Sequence, residues 1–289
     1  AGSLNYTGAA AMAASAAYRA GAGLVTVGAP QPIVPILAAQ VPEATWLLLP
    51  HDMGVIDEKA ADILLKELEG YNALLMGPGW GREQTTQDFL RAILSVDFHQ
   101  HPRRPISFVP TASGPESGTA GHAPILPPLV IDADGLNLLS GIEDWWRLLP
   151  PQTILTPHPG EMARLTGLSR EEVQQNRIGL AKEKAKAWNC VVVLKGAHTV
   201  IAGPGGRTAV LPFAEPALAT AGTGDVLAGA IAGLLGQGLA PLDAAIAAAY
   251  LHGLAGKYAA ADLNTARSVI AHDVLNKLSQ AISTVEHTV

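Results

Sequence analysis

Short apolar runs recur along this chain, and nearly every one stops at a cluster of glycine and polar residues. Leu24-Val25-Thr26-Val27, Thr45–Leu49, Ala73-Leu74-Leu75-Met76, Leu129-Val130-Ile131, Ile154-Leu155 and Val191–Leu194 are the runs. Helical spacing fills the intervals, over 9–20, 30–40, 57–68, 83–94, a pair ending at Trp188, and 242–261, with a last helix over 271–285. Strands that alternate with helices in this way specify a mainly parallel sheet covered on both faces. Val200-Ile201-Ala202 and Thr208-Ala209-Val210-Leu211, joined through Gly203, Gly205 and Gly206, read as an antiparallel hairpin. No shift of composition marks a linker, so residues 1–289 are expected to form one domain.

In an open α/β sheet, ligands bind beyond the carboxyl ends of the strands. That is where the polar clusters of this chain fall: Gly77-Pro78-Gly79-Trp80-Gly81, Asp132-Ala133-Asp134-Gly135-Leu136-Asn137, Thr156-Pro157-His158-Pro159-Gly160-Glu161 and Lys195-Gly196-Ala197-His198-Thr199. A fifth cluster, Gly222-Thr223-Gly224-Asp225, opens directly into the apolar run from Val226. It reads as a tight turn entering a helix, whose first N–H groups lack internal partners and suit an anion such as phosphate. Asp225 sits in that first turn. A carboxylate beside an anion site is unfavourable unless it takes a proton from a nucleophile; the plain alternative is a charge that stabilises the positive end of the helix.

Composition narrows the field. Hydrophobic residues make up 48% of the chain and charged residues 15%, which supports a large buried core rather than disorder. A formal net charge of −6 argues against a nucleic-acid surface. Cys190 is the only cysteine, so no disulfide or thiolate metal cluster is available, and its apolar neighbours make it a small buried hydrophobe. No signal peptide and no membrane-spanning stretch is visible, which leads us to expect a cytoplasmic protein without a membrane partner.

Two features stand apart. Residues 98–124 are rich in Pro, Gly, Ser and His without a sustained period, and read as a surface insertion. Its histidines, His99, His101 and His122, are expected to be solvated rather than metal-bound. Ala1-Gly2-Ser3 looks like a strand-to-helix turn, so a first strand is expected ahead of it that this sequence does not include.

The order and content of these segments resemble the ADP-dependent NAD(P)H-hydrate dehydratases of the ribokinase-like superfamily. The resemblance covers nearly the whole chain, from Gly2-Ser3, Tyr6-Thr7-Gly8-Ala9-Ala10 and Arg19-Ala20-Gly21-Ala22-Gly23 through the five clusters above. The Gly-Thr-Gly-Asp turn belongs to the whole superfamily; the Pro-His-Pro-Gly-Glu and Asp-Ala-Asp-Gly-Leu-Asn segments together are far more specific. The resemblance implies a three-layer sandwich and a repair reaction. ADP would phosphorylate the hydroxyl of a (6S)-hydrated nicotinamide ring, and phosphate would then depart to restore NADH or NADPH, leaving AMP.

It also implies roles. Asp225 would be the catalytic base and touch the hydrate, with Ala22, Gly79 and His158 also in contact with it. Lys195, Gly196, Ala197, His198 and Thr199 would bind the nucleotide, and Gly222, Thr223 and Gly224 the transferred phosphoryl group. Glu161 and Asp132 would orient Mg2+, through water. A rigid structural histidine is the alternative for His158, and helix capping for Glu161 and Asp132. A homo-oligomer is expected, and so is an NAD(P)H-hydrate epimerase fused to or paired with this chain. The competing readings are a ribokinase-like kinase of a vitamin-precursor alcohol and a nucleotide-sensing protein without turnover.

Overall fold

The computed structural model describes residues 1–95 and 126–287. The insertion expected over 98–124, with its three histidines, lies outside the described residues.

The chain opens with α1 (Thr7–Arg19), then β1 (Thr26–Pro30), α2 (Val34–Gln40) and β2 (Thr45–Leu49). The two short strands β3 (His51–Asp52) and β4 (Val55–Ile56) follow, with α3 (Ala60–Glu67), β5 (Leu74–Met76) and α4 (Gln84–Leu94). Next come β6 (Leu129–Ile131), α5 (Asp134–Leu139) and β7 (Ile154–Leu155). Three helices, α6 (Pro159–Thr166), α7 (Arg170–Gln175) and α8 (Arg177–Trp188), lead to β8 (Val191–Leu194). The hairpin β9 (Val200–Ala202) and β10 (Thr208–Val210) precedes α9 (Thr223–Gly236), α10 (Pro241–Asp262) and α11 (Ala271–Glu286).

The main sheet has the order β10-β9-β8-β7-β6-β5. Strands β5 to β8 are parallel, and β9 and β10 are antiparallel additions. Strands β1 and β2 form a separate parallel pair, and β3 and β4 a small antiparallel one. The alternation of side chains along a strand divides the interior in two. Leu129, Ile131, Leu155, Val192 and Leu194 face one core, shared with helices α3 to α8. Val130, Ile154, Val191 and Val193 face the other, under α9 and α10. Because both faces are buried, these strands read as unbroken apolar runs rather than alternating ones.

Two local expectations shift. The helix anticipated over 30–40 starts later: Pro30 ends β1, a 3-10 turn covers Gln31–Ile33, and α2 begins at Val34. Prolines at 30, 32 and 35 supply no N–H for helical bonding, so the regular α-helix is delayed to Val34. The β3–β4 hairpin is not anticipated, since two-residue strands are too short to show a period.

Helix α9 is held against α1 at backbone distance. A Cβ on Gly229 would fall 2.1 Å from the Ala13 carbonyl oxygen, and one on Gly233 would fall 2.7 Å from that of Ala17. The α1 residues that these glycines meet are Ala13 and Ala17, both buried, and Ala20 beyond its end. Small residues on both helices thus fix the height of α9, and the turn at its head is fixed with it.

On the far side of β5 the sheet is interrupted. A cleft of about 640 Å³ separates β5 from β1 and is lined by backbone and side chains of both strands. The Ala1-Gly2 segment crosses its end, with the Ala1 nitrogen 2.8 Å from the Gly28 carbonyl and the Gly2 nitrogen 2.8 Å from that of Pro78. Cys190, just ahead of β8, is fully buried; its thiol donates to the Trp188 carbonyl at 3.2 Å, and burial pushes its pKa up to about 12.

Gly229→Val is expected to separate α1 from α9 and to destabilise the fold by about 2–4 kcal/mol, as overpacking against backbone does. Gly205→Ala, in an open part of the β9–β10 turn where an added Cβ meets nothing, should stay within about 0.5 kcal/mol of the parent. Urea denaturation of the two variants measures both.

Candidate active site

The turns after β5, β6, β7 and β8 lie along one edge of the sheet because those strands are parallel. Asp132 follows β6, and its backbone approaches the β5 turn so closely that a Cβ on Gly77 (φ +115°) would fall 1.9 Å from the Asp132 carbonyl oxygen. Thr156, after β7, donates its hydroxyl to Asp132 Oδ1 at 2.6 Å. Lys195, after β8, donates to the same oxygen at 2.6 Å and lies 3.8 Å from Glu161 Oε2. Asp132 and Glu161 are 1% and 4% exposed, so this is a desolvated charge cluster with one cation facing two carboxylates.

Asp225 is the third carboxylate. Gly222 takes the left-handed conformation (φ +90°) and turns the chain into α9. No side chain caps the helix. The Thr223 N–H reaches the Thr220 carbonyl at 3.4 Å, while those of Gly224 and Asp225 are available to a ligand, with the positive end of the helix dipole behind them. The Thr223 hydroxyl lies 2.8 Å from the carbonyls of both Leu218 and Thr220, so this buried side chain braces the turn and leaves only its backbone to the site. A Cβ on Gly224 would stand 3.5 Å from Lys195 Nζ and 3.9 Å from Asp132 Oδ2, so the ammonium sits over the turn.

Burial is the main cause that raises the Asp225 carboxyl to about 7, and the Asp132 charge adds to it while Lys195 opposes. Glu161 is raised to about 7, first by burial, with Lys195 again opposing. Lys195 would be lowered by burial alone, but Asp132 and Glu161 outweigh it and the net shift is upward. The lysine is thus firmly charged, while Asp225 and Glu161 beside it are poised near neutrality.

His158 has a structural task that its position fixes. Its Nδ1 accepts the N–H groups of Gly160 and Glu161 at 2.9 and 3.2 Å, capping α6. Glu161 Oε2 accepts the His158 N–H at 2.8 Å, which completes a capping box. With Nδ1 accepting, the proton resides on Nε2, 3.3 Å from Glu161 Oε1. Burial, then Lys195, lowers its pKa to about 4, so the ring is neutral at physiological pH and the contact is a hydrogen bond rather than an ion pair. His158 also lines a cavity of about 570 Å³ together with Lys195, Gly196, Ala197, Thr199 and the whole Gly222–Gly224 turn.

The remaining anticipated residues divide. His198 stands on the same loop, its N–H bonded to the Phe213 carbonyl at 2.7 Å and its ring near the Leu211 carbonyl. Gly79 (φ +66°) packs against Tyr6 and Ala9, where an added Cβ would come within 2.7 Å of the Tyr6 carbonyl oxygen. Ala22 lines the β1–β5 cleft rather than the cavity at the Gly222–Gly224 turn. Three residues at the site are not anticipated from the sequence. They are Thr156 as a hydrogen-bond donor to Asp132, buried His252 on the cavity wall, and Arg177 behind the 195–199 loop.

Among the described residues, no group of three or more His, Cys, Asp and Glu side chains is arranged to hold a metal ion. Asp132 Oδ1 is occupied by Thr156 and Lys195, and Glu161 Oε2 by the His158 N–H. With those oxygens engaged, the two carboxylates would meet a hydrated magnesium ion through water rather than as direct ligands.

Residues 1–99 and 121–280 match the family model described as NAD(P)H-hydrate dehydratase. The chain belongs to that family. It is 39% identical to the bifunctional NAD(P)H-hydrate repair enzyme of Moorella thermoacetica, across 100% of this chain and 49% of that protein. It is 33% identical to the ADP-dependent (S)-NAD(P)H-hydrate dehydratase of Bacillus subtilis, across 95% of this chain and 84% of that one. The chain thus spans about half the length of the bifunctional relatives it matches. The solved Bacillus subtilis ADP/ATP-dependent NAD(P)H-hydrate dehydratase, co-crystallised with ATP and Mg2+, superposes with a TM-score of 0.76 at 31% identity, covering 98% of this chain and 87% of that one. A ribokinase-like superfamily protein from Enterococcus faecalis gives 0.74 at 26% identity, covering 97% and 84%. The architecture is therefore the ribokinase-like three-layer sandwich.

An unfolded aspartate ionises near pH 3.9, at about the usual value. Folded Asp225 ionises near 7, so between those values the folded chain holds the extra proton and stability falls as pH rises. Asp225→Asn removes that penalty. It should stabilise the protein at pH 8 by on the order of 1–3 kcal/mol and leave it nearly unchanged at pH 4, measured by thermal unfolding at both values.

Proposed function

We propose that this chain catalyses the ADP-dependent dehydration of (6S)-hydrated NADH and NADPH, returning the intact cofactor with AMP and phosphate. The observation that carries the reading is one juxtaposition. A carboxyl group raised to about 7 stands at the head of a helix without a side-chain cap, and a mostly buried ammonium lies over the same turn. Mere phosphate binding would be weakened by that carboxylate; transfer of a phosphoryl group to a hydroxyl requires it.

Asp225 takes the proton of the ring hydroxyl as its oxygen attacks the β-phosphorus of ADP. AMP leaves, and a phosphate ester forms on the ring. Lys195 and the backbone N–H groups at Gly222–Gly224 stabilise charge on the phosphoryl oxygens during transfer. Electrons from the ring nitrogen then expel phosphate, a proton leaves the neighbouring carbon, and the double bond of the reduced ring is restored. Asp132 and Glu161 would hold magnesium through water, and the ion would supply positive charge to the phosphates. The names of the relatives support ADP as donor and hydrated NADH or NADPH as substrate. Their description as bifunctional supports an epimerase joined to or working beside this chain, and we include assembly into a homo-oligomer in the proposal.

We also propose that residues 1–289 act as one domain whose β1–β5 cleft is the place of a further parallel strand. Consecutive N–H groups at Ala1 and Gly2 bond to opposite sides, Gly28 and Pro78, as those of a central strand do. Joining a six-residue β-branched segment ahead of Ala1 should raise the melting temperature by at least about 4 °C, whereas a Gly-Ser segment of equal length should not.

Purified protein with magnesium and hydrated NADH should regain absorbance at the reduced-nicotinamide band when ADP is added. A rise with ATP alone would change the donor, and no rise with either, in protein that binds nucleotide, would favour a small-molecule kinase. Turnover should increase with pH through about 7 as Asp225 ionises. Asp225→Asn should lower kcat by about 10²–10⁴-fold while ADP still binds.

A further inference from the structure

Arg177 opens α8, where the positive end of the helix dipole disfavours a cation. Among the described residues no carboxylate pairs with it, and burial lowers the pKa of its guanidinium. Both circumstances disfavour an arginine here. What it gains is backbone. Its Nη1 donates to the Ala197 carbonyl at 2.7 Å, and its Nη2 donates to the carbonyls of Leu194 at 2.9 Å and Lys195 at 3.2 Å. Gly196 makes the approach possible, since a Cβ at that position would fall 3.0 Å from both terminal nitrogens.

These bonds dictate which way the loop faces. In a trans peptide the N–H points opposite to the carbonyl. The Lys195 carbonyl turns back to Arg177, so the Gly196 N–H turns away from Arg177, and Gly196 lines the cavity together with Lys195 and Ala197. Two nearby amides are already committed: the Lys195 N–H to the Pro157 carbonyl at 2.9 Å and the His198 N–H to that of Phe213 at 2.7 Å. The Gly196 carbonyl accepts the Thr199 hydroxyl at 3.0 Å, which settles the following peptide as well.

We propose that Arg177 is a positioning residue for nucleotide binding. It clamps three carbonyls of the segment after β8 and so presents the Gly196 N–H to a phosphate of the nucleotide, while the Lys195 ammonium is held separately by Asp132. The inference rests on the reading of this cavity as the nucleotide site. A planar fork is needed, because a lysine at the same place keeps the charge but cannot span the three acceptors.

Calorimetric titration with ADP and magnesium tests this without turnover. Arg177→Lys and Arg177→Leu should both raise the dissociation constant about 10- to 100-fold. The KM for ADP should rise in parallel and kcat should change by less than about threefold, the pattern of lost binding rather than lost chemistry. Guanidinium ion should restore part of the affinity of Arg177→Ala, and methylammonium should not. ADP affinity in Arg177→Lys equal to that of the parent overturns the assignment, as does a lower melting temperature with unchanged affinity. If Arg177→Leu fails to fold, Arg177→Lys alone decides. Absence of dehydratase turnover in the parent chain would count against the proposed function, while the ADP titrations would still decide the role of Arg177.

Discussion

A single, mostly buried ammonium organises the polar edge of this sheet. Lys195 meets Asp132 at 2.6 Å and Glu161 at 3.8 Å, and it lies over the turn that carries Asp225. Three carboxylates gathered at the end of a sheet repel one another, and burial raises the cost of ionising each. One cation at their centre makes the cluster tolerable without neutralising it. What remains, at Asp225 and Glu161, is a pair of acids near the midpoint of their titration. That is the state a group needs if it is to accept a proton and later release it.

The scaffold serves that cluster through contacts that leave little freedom. The glycines of α9 rest on the backbone of α1, so the turn at Gly222 cannot rise or sink without separating two helices. Thr223 ties the same turn to the carbonyls of Leu218 and Thr220. On the opposite side, Glu161 and His158 cap α6 reciprocally, which holds Glu161 towards Lys195. The side chains at the site are therefore braced by backbone, and the arrangement we propose for phosphoryl transfer is held by the chain's own contacts.

Much of this is legible in the sequence, because much of it is local. Apolar runs such as Val191–Leu194 declare a strand buried on both faces, and the glycines after them declare turns. The parallel order then places those turns on one edge. Partnerships across the chain are not legible. Arg177 is an ordinary basic residue in a helical segment until the fold brings it against carbonyls 17 to 20 positions away. Thr156 belongs to a recognisable motif, yet its hydroxyl serves Asp132, 24 residues earlier. The role of His158 is visible in the sequence only as a pair of alternatives, since a histidine between prolines can cap a helix or touch a ligand. The placement of Ala22 in the cleft beside β1 depends on where the sheet is interrupted, which no periodicity reports.

Cys190 sits at the base of β8, the strand that delivers Lys195. It is fully buried, and its thiol is held far from ionisation. A thiol in that condition is chemically silent, because alkylating reagents and disulfides react with the thiolate and need access to it. As the chain has no other cysteine, any labelling of the protein must wait until the central strand is exposed. The rate of modification by an excess of reagent is therefore a direct clock for opening of the sheet, supplied by the native sequence without an added probe.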